Sequence, residues 1–183
     1  MRKAAIQLSV NFVVVLIIAV IVFGLGLTFA YRLLSTASDI EEGFDADTNA
    51  QIEAMLNSGE AVAIPINRAY LKKGKAHVFG LGISNKGLGP GVTTFDVQVT
   101  QSAYFNLDGV KESKDFSNFF ESTPQSYDIV NNEHKKVPIP IRVQNELADS
   151  SPTPFGTYVF NVNVSVNGTQ YGSLQKIYVE VRS

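Results

Sequence analysis

Two histidines, seventeen carboxylates and no cysteine are the stock from which any acid–base or metal chemistry in this chain must be drawn. His77 and His134 lie 57 positions apart, and neither has a carboxylate or hydroxyl at the spacing of a zinc site or a Ser-His-Asp arrangement. The absence of cysteine removes disulfides, thiolate ligands and thiol nucleophiles together. Asp45, Asp47 and Asn49 imitate the opening ligands of a calcium loop. Ala50, however, stands at the glycine position and Leu56 where the bidentate glutamate belongs, so the run reads as a solvated helix cap. Asn85-Lys86-Gly87-Leu88-Gly89-Pro90-Gly91 is glycine-rich but lacks the Gly-Lys-Ser/Thr ending of a phosphate loop, and it reads as a turn. No catalytic residue, cofactor site or metal site is expected, and the chain is read as a non-enzyme. Fifteen basic residues against seventeen acidic ones leave a net charge of −2, with no basic footprint for nucleic acid. Two asparagines do carry a modification signal, Asn163 in Asn163-Val164-Ser165 and Asn167 in Asn167-Gly168-Thr169; both are glycosylation sequons if the chain is exported.

The opening of the chain belongs to a different solvent. From Ala4 to Tyr31 there are 28 residues without a charge. A helix of that length is roughly 40 Å long, more than the ~30 Å of a bilayer's hydrocarbon core. Arg2 and Lys3 precede it, and Asp39, Glu41, Glu42, Asp45 and Asp47 follow, so the positive-inside rule keeps the N-terminus cytoplasmic and exports the remainder. The apolar stretch is too long for the core of an ordinary cleaved secretory signal. Gln7, Ser9 and Asn11 place polar groups at its start, where they either sit in the headgroup layer or are buried by neighbouring helices. Gly26-x-x-x-Ala30 is a spacing that lets helices approach closely, and equally one that loosens a lone helix.

Arg2-Lys3-Ala4-Ala5 followed by Gln7-Leu8-Ser9-Val10-Asn11-Phe12 resembles the N-terminus of archaeal type IV pilins and pilin-like proteins. Members of that family carry a short basic leader of the class III signal-peptide type, a prepilin-peptidase site and a Gln-x-Ser-x-Glu-Phe pattern that opens an assembly helix. Gln7, Ser9 and Phe12 match. Asn11 stands where the family has glutamate, and Ile6 where it has glycine or alanine before the glutamine. The resemblance implies cleavage after Ala5, with Ile6 as the first mature residue, and assembly through Gln7, Ser9, Asn11, Phe12, Gly26 and Ala30.

Downstream, Ser, Thr, Asp and Glu dominate from Ser35 to Gly59, as in an exposed connector. Thr48 and Gln51 have capping-box form, and Ile52, Met55 and Leu56 share one helical face. That predicts a short amphipathic helix over Asn49 to Ser58, packed on the base of the outer domain. After Ala61 the period becomes two. Strands are expected at Ala61–Ile66, Ala76–Ser84, Val92–Thr100, Ala103–Leu107, Val137–Val143, Tyr158–Val166 and Ser173–Arg182. Pro138 and Pro140 make the Val137 strand an edge strand, and Asn167-Gly168 is a hairpin turn. The aromatics of the Tyr104 to Lys136 interval either anchor a partner or plug the end of the domain.

The organisation expected is therefore a basic leader (1–5), a transmembrane and assembly helix (6–38), a connector (39–59) and an extracytoplasmic domain (60–183). The fold class is mainly β, an N-terminal transmembrane α-helix followed by an immunoglobulin-like antiparallel β-sandwich. The resemblance implies a structural subunit of a cell-surface, type IV pilus-like filament on an archaeal membrane. Its partners are membrane lipid, further copies of itself, the prepilin peptidase and surface-layer protein. The rival reading keeps the helix as a single-pass anchor for an envelope-binding module similar to the stator-like accessory proteins of the archaeal flagellum.

Overall fold

The computed structural model describes residues 12, 14–20, 46–121 and 123–183. The chain divides by its contacts into two units, Met1–Glu42 and Gly43–Ser183. In the first, residue 12 and residues 14–20 are helical. Among the described residues no helix is long and apolar enough to cross a membrane. Most of the span expected for the membrane helix lies outside the described residues.

The second unit is mainly β. It begins with α1 (Ala46–Asn57) and continues through β1 (Val62–Ala63), β2 (Arg68–Leu71), β3 (Ala76–Ser84), β4 (Val92–Phe105) and β5 (Lys111–Glu112). A 3-10 turn at Ser117–Phe119 precedes β6 (Gln125–Val130), β7 (His134–Arg142), β8 (Gly156–Val166), β9 (Thr169–Gln170) and β10 (Gln175–Val181). One sheet has the order β1-β3-β7; the other runs β2-β10-β8-β4-β5, with β6 also paired to β4 and β9 to β8. Pairing is antiparallel throughout except between β2 and β10. Alternate residues of both sheets enter one core, with Phe79, Leu81 and Ile83 of β3 and Val137, Ile139 and Ile141 of β7 sharing it with Phe95, Val97, Phe160, Val162, Ile177 and Val179. The period of two places those side chains on one face of each strand, and withdrawing each from water contributes about 1.5 to 3 kcal/mol.

Gly82, which stands between Leu81 and Ile83, has its own reason. The opposite face of β3 is covered by α1, whose Ile52 and Leu56 are buried together with Ala63. A Cβ on Gly82 would run into both helix side chains, so only glycine lets α1 lie this close. Two polar contacts fix the helix ends. Lys86 Nζ donates to Leu56 O at 2.7 Å, capping the C-terminus, and Lys136 Nζ lies 2.6 Å from Glu53 Oε1. The Lys136 ammonium holds the Glu53 carboxyl below its ordinary pKa.

Several expectations are corrected. The helix begins at Ala46 rather than Asn49, so Thr48 lies within its first turn, buried, instead of preceding it as a cap. The strand expected at Ala61–Ile66 is only two residues long. The pieces expected at Val92–Thr100 and Ala103–Leu107 are one strand, β4, interrupted by a bulge between Gln101 and Ala103. β2, β5, β6 and β9 had no counterpart in the reading of the sequence. The edge position of β7 stands as expected. Asn167 and Gly168, at φ 51° and 77°, form a two-residue turn with both centres left-handed, which suits the twist of a hairpin. That turn joins β8 to β9, and the chain then returns along β8 as β10.

Candidate functional site

Phe12 and residues 14–20 present only apolar side chains, and each is exposed, from Val14 at 49% to Phe12 at 66%. Seven consecutive helical residues cover almost two turns, so the exposed apolar surface runs all the way round, with no polar face for water. Helices that are apolar all round are as a rule found buried, in a protein core or a membrane. Of the residues expected to act in processing and assembly, Phe12 is the one described. Ala5, Ile6, Gln7, Ser9, Asn11, Gly26 and Ala30 lie outside the described residues.

The β domain keeps its two histidines apart. Ser84 pairs with His134 and His77 with Ile141, which puts the two histidines at opposite ends of the β3–β7 pair. Seven residues of strand separate those ends, about 24 Å, too far for a shared metal or a shared proton. His77 packs edge-on against Phe79 at 4.7 Å, and burial lowers its pKa. Among the described residues no group of three or more His, Asp or Glu side chains converges as a metal site.

The aromatics of the long interval close one end of the core. Phe116 and Phe119 are buried, and Phe116 meets Tyr158 and Phe160 edge-on at 5.1 and 5.2 Å. Phe120 packs against Phe160 at 5.6 Å, so this group is a plug rather than a set of partner anchors. Tyr104 and Tyr158 sit within it at 4.8 Å; their hydroxyls donate to Phe155 O and Pro154 O at 2.7 and 2.8 Å. Burial pushes both phenols above their ordinary pKa. Two clefts border the plug. The one between Val97, Phe120, Pro138 and Pro140 has about 20 Å³ of free space, room for a water at most. The other, between Gln101, Tyr104 and Lys111, is an open polar groove of about 440 Å³, on whose wall Lys114 Nζ lies 3.8 Å from Glu112 Oε2.

The two sequons have different settings. Asn163 lies within β8, paired with Gln98 of β4, and is half-buried, whereas Asn167 is exposed at the tip of the β8–β9 turn. A further feature went unread in the sequence, a group of cations formed by Lys72, Lys73, Lys75, Arg142 and Arg182. Lys72-Lys73-Gly74-Lys75 is visible as a basic run, but only the parallel pairing of β2 with β10 and the β3–β7 register bring the arginines to it.

No family model matches the chain, and no curated protein matches it. Solved structures with partial likeness include a family 123 glycoside hydrolase from Clostridium perfringens, at 13% identity over 66% of this chain and 24% of that one, with a TM-score of 0.41. A PapD-like domain of human CEP192 matches at 14% identity over 67% of this chain and 84% of that one, also with a TM-score of 0.41. The class 5 fimbriae chaperone CfaA matches at 9% identity over 67% and 56%, with a TM-score of 0.35. The chain spans about a quarter of the glycoside hydrolase it resembles. Likeness of this degree carries no activity, substrate or partner over to this chain.

Proposed function

We propose that the chain is a structural, pilin-like subunit of an archaeal cell-surface filament. In this reading its N-terminal apolar helix first spans the membrane and then bundles with those of other copies. An immunoglobulin-like sandwich coats the outside. The observation that carries the reading is the helix of residues 14–20, apolar and exposed on every side, preceded by Gln7, Ser9 and Asn11 in the pilin-like pattern. Lipid satisfies the apolar surface but leaves those polar groups without partners, whereas neighbouring helices satisfy both. Release of the basic leader by a prepilin peptidase, at Ala5 and Ile6, would free the helix to leave the membrane.

The test is the share of the protein found in sheared, high-molecular-weight surface material, measured against the total in membranes. Asn11→Leu removes interhelical hydrogen bonds worth about 0.6 to 2 kcal/mol each, so that share should fall while membrane insertion is unchanged. An unchanged share, or none from the wild type, would instead favour the single-pass anchor for an envelope-binding module.

A further inference from the structure

Five cations of the β domain, Lys72, Lys73, Lys75, Arg142 and Arg182, stand on backbone joined at one corner, and Arg68 lies four positions back from Lys72 along the adjoining strand. Leu71 O accepts from Arg182 N at 3.1 Å, which sets the end of β10 beside the Lys72–Lys75 turn. On the turn's other side Gly74 N donates to Val143 O at 2.7 Å and Val143 N to Lys75 O at 2.9 Å, with Arg142 paired to Ala76. Aromatic rings hold three of the charges in place: Arg182 lies 4.4 Å from the Tyr70 ring, Arg68 5.5 Å from Tyr178 and Lys73 4.5 Å from Phe155. A cation stacked on a ring keeps its charge and much of its hydrogen-bonding capacity. Glu180 pairs with Arg182; among the described residues no carboxylate is within ion-pair distance of the other five. On a chain of net charge −2, this is an unneutralised basic surface whose complement is an anion.

The same sequence supplies that complement. Asp39, Glu41, Glu42, Asp45 and Asp47 place five carboxylates in nine positions without a single base. Asp47 is exposed in the first turn of α1, and α1 is fixed on β3 by the Gly82 contact and the Lys136–Glu53 pair. Among the described residues no cation lies within ion-pair distance of Asp47. We propose that the basic corner around Lys72, Lys75 and Arg142 is the docking surface for the acidic stretch 39–47 of a second copy of this chain. The inference rests on the filament reading and names its outer contact: helix bundling supplies the interior and this charge pairing sets the register between neighbouring β domains. Because the pairs form at the surface, the contact weakens as salt rises.

The experiment uses two charge-reversed full-length chains. One carries Lys72→Glu, Lys75→Glu and Arg142→Glu; the other carries Glu41→Lys, Glu42→Lys and Asp45→Lys. Either alone should lower the sheared high-molecular-weight material about tenfold, since like charges are then juxtaposed, with the membrane total unchanged. Producing both together in one cell should restore the material, because each reversed corner then meets a reversed connector on a different copy. Four outcomes overturn the proposal. Rescue only when both sets are placed in one chain means that the contact is internal. A loss confined to the corner variant means an external polyanion such as lipid headgroups. No loss from either variant means that the surface is unused, and failure of every combination to restore the material means that the substitutions act on the fold.

If the wild type yields no sheared material, the filament reading fails by itself. Zero-length carbodiimide crosslinking of wild-type membranes then decides the contact. Covalent dimers joining Lys72 or Lys75 to Glu41 or Glu42 support it, and their absence overturns it.

Discussion

Ile52 of α1 sits directly on Gly82 of β3, at a point where any side chain on the strand would occupy the space held by the helix. Leu56 closes the other side of the same contact, its Cδ1 3.0 Å from where a Cβ on residue 82 would lie. Helix and sheet are therefore one folded unit. A soluble fragment of the domain should start near Gly43, ahead of α1, rather than after the helix.

Gly82→Ala should destabilise that fragment by about 1 to 3 kcal/mol, because an overpacked site must push the helix outward. Urea unfolding measures it. Combining Gly82→Ala with Ile52→Ala should cost less than the sum of the two single changes, since the second removes the atom that the first collides with. Strict additivity would mean that α1 does not press on Gly82.

Burial lowers the pKa of His77, so the folded domain favours its neutral ring. The unfolded chain then binds the proton more readily. The stability from this group is present above the ordinary histidine value of about 6.5 and is lost as pH falls through the lowered folded value. In thermal melts of the 43–183 fragment between pH 7 and pH 5, His77→Gln should lose less stability than the wild type. Equal losses would assign the acid sensitivity to other groups.

Tyr158 behaves in the opposite sense. Its phenol is pushed up by burial, so its contribution holds below the ordinary tyrosine value of about 10 and disappears as pH rises towards the folded value. Tyr158→Phe should cost about 1 kcal/mol at neutral pH, through loss of the hydrogen bond to Pro154 O, and that cost should shrink in alkali. Melting temperatures of both proteins at pH 7 and above pH 10 give the comparison. A cost that does not change with pH would mean that the phenol ionises without unfolding.

If the domain is exported in a host that glycosylates such sequons, the sugar should be on Asn167. A transferase requires an accessible backbone, which the β8–β9 turn offers and a paired position within β8 does not. Intact-mass measurement should show one glycan, lost in Asn167→Gln and kept in Asn163→Gln. The reverse pattern would mean that modification precedes folding.

The strands that could be read in advance were those with one buried face and clean alternation, such as Phe160, Val162 and Val164 of β8 or Val137, Ile139 and Ile141 of β7. β4 was split because its bulge changes the parity of the core face. Phe95, Val97 and Val99 are buried at odd positions, Tyr104 at an even one, and no single alternation spans both. β6 was missed because, of its six residues, only Ile129 is fully buried, and the apolar Val130 beside it is exposed. β2 escaped for a different reason: its parallel pairing with β10 links residues about a hundred positions apart and leaves no local pattern. The same distance hid the basic corner, which exists only once Arg142 and Arg182 have been folded onto the Lys72–Lys75 turn.

The paired prolines of β7 also limit how copies of this domain can join. Pro138 and Pro140 offer no N–H to an incoming chain, so along that margin two molecules cannot be zipped together through their backbones. Crowding on a surface raises the local concentration of exposed sheet edges enormously, the condition under which β domains convert irreversibly into cross-strand aggregates. With this edge blocked, contacts made there rely on side chains, and they stay dissociable where a hydrogen-bonded ladder would set permanently.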